Sequence, residues 1–244
     1  MTTIIYEPSG RAKEYSELAA NLYSGCDHGC VYCYAPLATR KKRDTFVHSK
    51  PREGVLNKFL DDAIELEERK EHRPILLSFT TDPYQHLDVK YQLTRDAIRI
   101  LHKHNLKVSI LTKGGKRSER DFDLLSSHPE LSEYGITLVF IDEECRKKIE
   151  PEAAPTTERI SSLKKAHSMG IFTYVSLEPV WFPEDALKLI DLTHEFVDFY
   201  KVGKLNYNIQ QQNVNWKEFR HNVICKLEKY KKKFYIKKDL EKYL

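Results

Sequence analysis

Three cysteines, Cys26, Cys30 and Cys33, fall within eight positions of the segment GCDHGCVYCYAP, residues 25–36. Thiols gathered that closely suit metal or iron–sulfur chemistry, because the deprotonated sulfur is the ligating form. The chain has five cysteines, an odd number at uneven spacing, which argues against a disulfide framework. Structural zinc asks for four ligands in a closed tetrahedral shell, and the near set supplies three. His28 lies between the cysteines and would close the same shell only with awkward geometry. Cys225 falls opposite the apolar stripe of Trp216, Phe219, Val223 and Leu227, and Cys145 has no second ligand near it to form a pair. A four-iron cube ordinarily takes one protein ligand per iron, so three thiolates leave one iron for a non-protein ligand.

The elements that must hold this segment alternate in type. Apolar stretches rich in β-branched and aromatic residues predict strands at 18–24, 75–80, 108–112, 136–141, 172–177 and 197–203. Between the first two, Leu56, Leu60 and Ile64, with Val55 and Phe59 alongside, form one apolar helical face. Thr94 is an expected N-cap, Ser118 with Asp121 opens a short helix, and Thr156 or Thr157 begins another that Gly170 closes. Pro183 suits a helical first turn, and Asn215 with Glu218 makes a capping box. Strand–helix repetition implies right-handed βαβ units on a parallel sheet, either doubly wound or a partial barrel. Both place reactive groups at the carboxyl ends of the strands, and the cysteines directly follow the first strand. With 244 residues and no low-complexity linker, one domain is expected.

Hydrophobic residues make up 41% and charged residues 31%, the balance of a globular chain with a sizeable core. No run approaches the roughly 18 apolar residues of a membrane helix. The start, MTTIIYEPSGRAKEY, lacks the pattern of a secretory signal, so the cytoplasm is the expected compartment and no membrane the expected setting. The net charge of +4 is a weak signal for nucleic acid. Arg40-Lys41-Lys42-Arg43, beside the cysteines, is a stronger local one; Lys231-Lys232-Lys233 reads as a solvated face.

The Cys-x3-Cys-x2-Cys spacing, with an aromatic residue before the last cysteine and a strand before the first, resembles the radical S-adenosylmethionine enzymes. The segments TTDPYQ (80–85), LTR (93–95), ILTKGG (110–115), EPEAAPTTER (150–159) and LEPVWFP (177–183) resemble the branch containing spore photoproduct lyase and its photolyase-like relatives. The likeness spans about residues 15–205, with 206–244 as a helical, basic extension. It implies an α/β fold, a partial (β/α)6 TIM-like barrel. It also implies a 4Fe–4S cluster on Cys26, Cys30 and Cys33, with S-adenosylmethionine chelating the open iron. An electron, from a donor such as flavodoxin or ferredoxin, would then split the cofactor to a 5′-deoxyadenosyl radical.

The resemblance sets Tyr32 near the adenine. Thr81 and Asp82 would meet the amine, as hydroxyl and carboxylate partners of an ammonium. Lys113 and Arg159 are alternative partners for the cofactor carboxylate. Glu178 is expected to face the mouth, and Glu150 to meet the ribose or Arg159. Tyr84 and Trp181 are candidates for stacking on a flat substrate. The lyase branch carries a hydrogen-donating cysteine where this chain has Phe79. Cys145 is the candidate replacement, and nucleic acid the leading candidate substrate.

Overall fold

The computed structural model describes residues 3–205 and 214–243. Its strands in chain order are β1 (Ile5–Tyr6), β2 (Leu18–Ala20), β3 (Tyr23–Ser24), β4 (Lys50–Pro51) and β5 (Ile75–Leu77). There follow β6 (Val108–Thr112), β7 (Ser132–Thr137), β8 (Phe172–Val180), β9 (Phe199–Lys204) and β10 (Lys233–Ile236). Eight of them form one sheet in the order β1-β2-β5-β6-β7-β8-β9-β10. All neighbours are parallel except β1, which pairs antiparallel with β2. β3 and β4 make a separate antiparallel ribbon.

Although the 18–24 stretch divides into β2 and β3, each of the six central strands overlaps one that the sequence predicts. Helices Val55–Glu68, Leu93–Lys103, Phe122–Ser127, Thr156–Ser168 and Pro183–Thr193 connect them in turn. This is the repeat of a partial (β/α)6 barrel, widened by β1 and β10. The segment before β2 reaches across to the far strands: Tyr235 donates to Glu14 Oε1 at 2.9 Å, and Lys201 Nζ to the Tyr15 carbonyl at 2.9 Å.

One face of the sheet is apolar. Ile75, Leu77, Val108, Ile110, Ile136, Val175 and Val202 pack with helical Phe59, Ala97, Leu101, Leu163 and Ile190. Alternate strand residues face the other way, and there the side chains turn polar: Ser109 pairs in register with Glu133, and Ser176 with Lys201. A cavity of about 240 Å³ on that side is lined by Tyr15, Leu76, Ser109, Glu133 and Lys201.

Several local predictions shift. The helix after β4 buries Val55, Phe59 and Ala63, while Ile64 of the predicted stripe is 41% exposed. The helix is turned by one residue, which puts the small Ala63 at the close contact. β7 begins at Ser132 rather than at Ile136. Leu138–Phe140 are buried without being strand, since Phe140 packs on Trp181 at 5.7 Å between ring centroids. Thr94 sits inside its helix, donating to the Pro83 carbonyl, and Gln92 in the left-handed region is the cap. Asn215 caps Trp216–Lys229 as expected, accepting from the Glu218 amide. The predicted basic extension contributes a strand, β10, parallel to β9; its residues 206–213 lie outside the described residues. No helix among the described residues is long and apolar enough to cross a membrane.

Candidate active site

The cysteine loop leaves the β3–β4 ribbon at Gly25, whose φ is +94°. A Cβ there would stand 2.5 Å from the Phe46 carbonyl oxygen, so the position needs glycine. That same carbonyl accepts the Cys26 amide at 3.0 Å.

From there the loop is tied down residue by residue. Asp27 accepts from the amides of His86 and Leu87 at 3.1 and 3.0 Å, anchoring it to the segment after β5. His28, 2% exposed, accepts from Arg117 through Nε2 at 2.9 Å and points Nδ1 at Asp82 Oδ2, 3.4 Å away. A guanidinium only donates, so Nε2 is the bare nitrogen and Nδ1 carries the proton. Burial pulls the His28 pKa down to about 4, with Asp82 opposing and Arg117 assisting. The Val31 amide donates to the Ile149 carbonyl at 2.8 Å, and Tyr32 donates to Glu150. Arg43 donates to the carbonyls of Cys30 and Cys33 at 2.8 and 3.0 Å.

None of these bonds uses a sulfur. Among the described residues no cysteine stands in a disulfide; Cys30 is buried and Cys26 and Cys33 are half-buried. Burial pushes the Cys30 thiol up to about 12, offset in part by Lys113. Burial also raises Cys26, and Asp82, Cys30 and Cys33 add to that. Among the described residues no three His, Cys, Asp or Glu side chains converge on the space of one ion. A four-iron cube does not ask for that convergence, since it takes its cysteines singly, one to each iron.

Around the loop lies a buried polar network. Arg159 and Glu150 are both fully buried, 2.6 Å apart. The other donors of Arg159 go to the carbonyls of Ala154 at 2.8 Å and Thr137 at 3.0 Å. Burial would lift the Glu150 carboxyl, but Arg159 and Lys113 outweigh it and hold the group below its ordinary value. Lys113 stands with its ammonium 5.6 Å from the centroid of the Tyr32 ring. Burial works against its charge, and Cys30 with Glu150 more than restores it.

Asp82 is saturated by the protein. It accepts from the Tyr84 amide at 2.8 Å, Thr112 Oγ1 at 2.6 Å and the Lys113 amide at 2.7 Å. Burial opposes its charge, but His28 and these donors keep its pKa low. Thr81 Oγ1 lies 2.9 Å from Ser78 Oγ.

The structure thus joins Tyr32, Lys113, Glu150 and Arg159 to Cys30, and sets Thr81 and Asp82 beside them. Glu178 is held apart by Lys237, at 2.6 Å. Cys145 lies on the helix Glu143–Ile149, where its charged neighbours are Asp142, Asp185 and Lys148. Tyr84 is 1% exposed and packs under Arg120, a core position rather than a stacking platform. Trp181 does approach the site, 6.2 Å from Tyr32 between centroids. Tyr34 holds the Phe79 carbonyl at 2.9 Å and is 54% exposed at the rim. The anchors Asp27, Arg43 and Arg117 escape a reading by motif. Asp27 lies between two of the cysteines that dominate its segment, Arg117 stands in an ordinary polar stretch, and Arg43 is hidden in a charge run.

Known proteins resemble this chain in sequence and in fold. The Radical SAM superfamily matches residues 20–196. An uncharacterized protein of Methanocaldococcus jannaschii is 29% identical over 207 residues, 82% of this chain and 73% of that one. One from Acidianus two-tailed virus is 28% identical, covering 72% of this chain and 60% of the viral protein. Among solved structures, spore photoproduct lyase with bound AdoMet and dinucleoside spore photoproduct superposes with a TM-score of 0.74 at 12% identity, over 93% of this chain and 78% of the lyase. Streptococcus suis SuiB bound to S-adenosylmethionine gives 0.66 at 12% identity, over 89% of this chain and 49% of SuiB. The parallel sheet with its connecting helices is the fold of these solved structures. The chain belongs to the Radical SAM superfamily. Membership implies S-adenosylmethionine and an iron–sulfur cluster as cofactors.

Proposed function

We propose that Cys26, Cys30 and Cys33 hold a 4Fe–4S cluster, and that the chain reductively cleaves S-adenosylmethionine to start radical chemistry on a further substrate. The observation carrying this reading is that three thiols stand together on a loop anchored by Phe46, Asp27, Arg43 and Ile149 through groups other than sulfur, the Cys26 sulfur meeting only the His28 backbone amide inside the loop itself. When bound, the cluster supplies the electron that splits the sulfonium bond to methionine and a 5′-deoxyadenosyl radical.

The chain's own residues divide the work. Lys113, with no carboxylate in salt-bridge contact among the described residues, is the cation for the cofactor carboxylate. Arg159 is fully committed to Glu150 and two carbonyls, so it acts as a positioning residue through Glu150 and Tyr32. The Tyr32 ring is the surface for the adenine, and the Thr81 hydroxyl meets the amine. Asp82 holds His28 and the start of the Lys113 loop in place. Glu178, neutralised by Lys237, forms a polar wall. Phe79 offers no thiol, and Cys145 is placed among other groups, so hydrogen return by a cysteine of the lyase type is not assigned to either.

Nucleic acid is the substrate class placed first, with a single catalytic domain acting in the cytoplasm and reduced by a flavodoxin or ferredoxin. The test is anaerobic. The purified chain should be brown, and with dithionite and S-adenosylmethionine it should release 5′-deoxyadenosine, whereas Cys30→Ala should not. A colourless, zinc-loaded protein would overturn the reading.

A further inference from the structure

A second pocket, of about 430 Å³, lies beside the cysteine loop, and its walls carry Ser24, Thr39, Lys41, Lys50, Arg52 and Thr80. The antiparallel β3–β4 ribbon builds it, setting Ser24 opposite Lys50. Lys41, from the Arg40–Arg43 run, turns inward and donates to Ser24 Oγ at 2.5 Å. The basic run is therefore split: Arg43 clamps the cysteine loop and Lys41 faces this pocket.

The cations here share one pocket and lack a counter-ion. Elsewhere arginines are met by carboxylates, as Arg73 by Glu71, Arg95 by Asp123 and Arg120 by Asp88. Among the described residues no carboxylate lies in salt-bridge contact with Lys41, Lys50 or Arg52. Glu53 is the single acidic residue on the wall. Ser24, accepting from Lys41, keeps its own hydrogen to donate outward. Three cations and a hydroxyl, from β3, from the end of β4 and from the loop carrying Lys41, suit an anion with several oxygens around one centre. A planar carboxylate would be satisfied by one guanidinium fork.

We infer that this pocket binds a phosphate group carried by the substrate. Its place supports that role: Gly25 on its wall immediately precedes Cys26, and Thr80 immediately precedes Thr81 at the mouth. A molecule anchored there by phosphate extends over the reactive centre. Delivery of a radical substrate rests on the function proposed above; affinity for phosphate does not.

The test uses the full chain, purified anaerobically. Three probes are titrated over a salt series: a short labelled single-stranded oligonucleotide, a nucleoside 5′-monophosphate and the matching nucleoside. At least one phosphate-bearing probe should bind and the nucleoside should not. Lys50→Gln/Arg52→Gln should weaken that binding at least about tenfold. For the oligonucleotide it should also flatten the log–log salt slope by about 1.4, or about 0.7 per lost contact. Both residues are exposed, and Lys50→Gln alone serves if the pair misfolds. Lys217→Gln/Lys229→Gln, with the same charge change elsewhere, should bind like the unaltered chain. Displacement of the oligonucleotide by monophosphate at matched phosphate supports a small phosphorylated ligand, and resistance to it supports a polymer backbone. The inference fails if no phosphate-bearing probe binds at low salt, or if the double substitution binds as well as the unaltered chain. Absence of 5′-deoxyadenosine with phosphate binding intact sinks the radical reading and leaves the pocket standing.

Discussion

Arg159 and Glu150 face each other at 2.6 Å with both side chains wholly buried, and the same carboxylate receives the Tyr32 hydroxyl. Breaking such a pair from one side strands a charge in a low-dielectric interior. Arg159→Leu should therefore lower unfolding free energy by about 3–5 kcal/mol, read as a shift in denaturant midpoint. Replacing both partners by apolar residues should recover much of the loss. A single-substitution cost below about 1 kcal/mol, the scale of a surface ion pair, would contradict this account.

Arg43 spans two carbonyls of the cysteine loop with the two separate nitrogens of one rigid fork, a geometry that a single ammonium on a flexible stem does not reproduce. Arg43→Lys should leave global stability near its original value and weaken retention of iron by about 10–100-fold, the usual effect of losing an outer-shell partner. Iron retained against a chelator is the measurement, and unchanged retention would remove Arg43 from the site.

Cysteine substitutions should separate cleanly into two groups. Cys26→Ala, Cys30→Ala and Cys33→Ala should each abolish the visible iron–sulfur absorption. Cys145→Ala and Cys225→Ala should keep both colour and cofactor cleavage, because neither joins the loop's network. Loss of colour in Cys145→Ala would place that residue in the centre after all.

Lys201 provides a pH test on the polar side of the sheet. Burial holds its pKa down to about 8 from an ordinary 10.5, although Glu133 and Glu178 oppose the shift. Between those two values the unfolded chain binds the proton and the folded chain does not, so stability rises with pH. Below pH 8 both states are charged and folding bears the full cost. Relative to Lys201→Met, the unaltered chain should thus gain up to roughly 3 kcal/mol from pH 8 to 10.5. Parallel denaturation curves across that window check it; a constant difference would show that the ammonium is solvated.

Much of the architecture was legible because parallel strands buried on one face announce themselves by β-branched runs. VSILT coincides with β6, and Pro183 opens its helix as expected. The failures share a cause. Apolar content reports burial, not hydrogen bonding, so Leu138–Phe140 read as strand while they pack the mouth. Conversely, Ser132 and Glu133 are strand residues disguised by polarity, because one side of this sheet is polar. β10 was masked by the lysine run that leads into it. In the site, the thiol cluster was visible from spacing, and Lys113 and Arg159 stood as alternatives for one role. Which alternative has a free cation was not legible, since only the fold shows that Glu150 occupies the guanidinium.

The anchors of the cysteine loop contain no metal: a carbonyl at Phe46, a cap by Asp27, a clamp by Arg43 and a bond to Ile149. Zinc fingers make metal binding and folding a single event. Here the anchors are backbone groups, a carboxylate and a guanidinium, so exchanging any of the three cysteines for alanine removes a sulfur and none of these bonds. Ligand supply and loop shape are thereby assigned to different atoms, and each can be altered without the other.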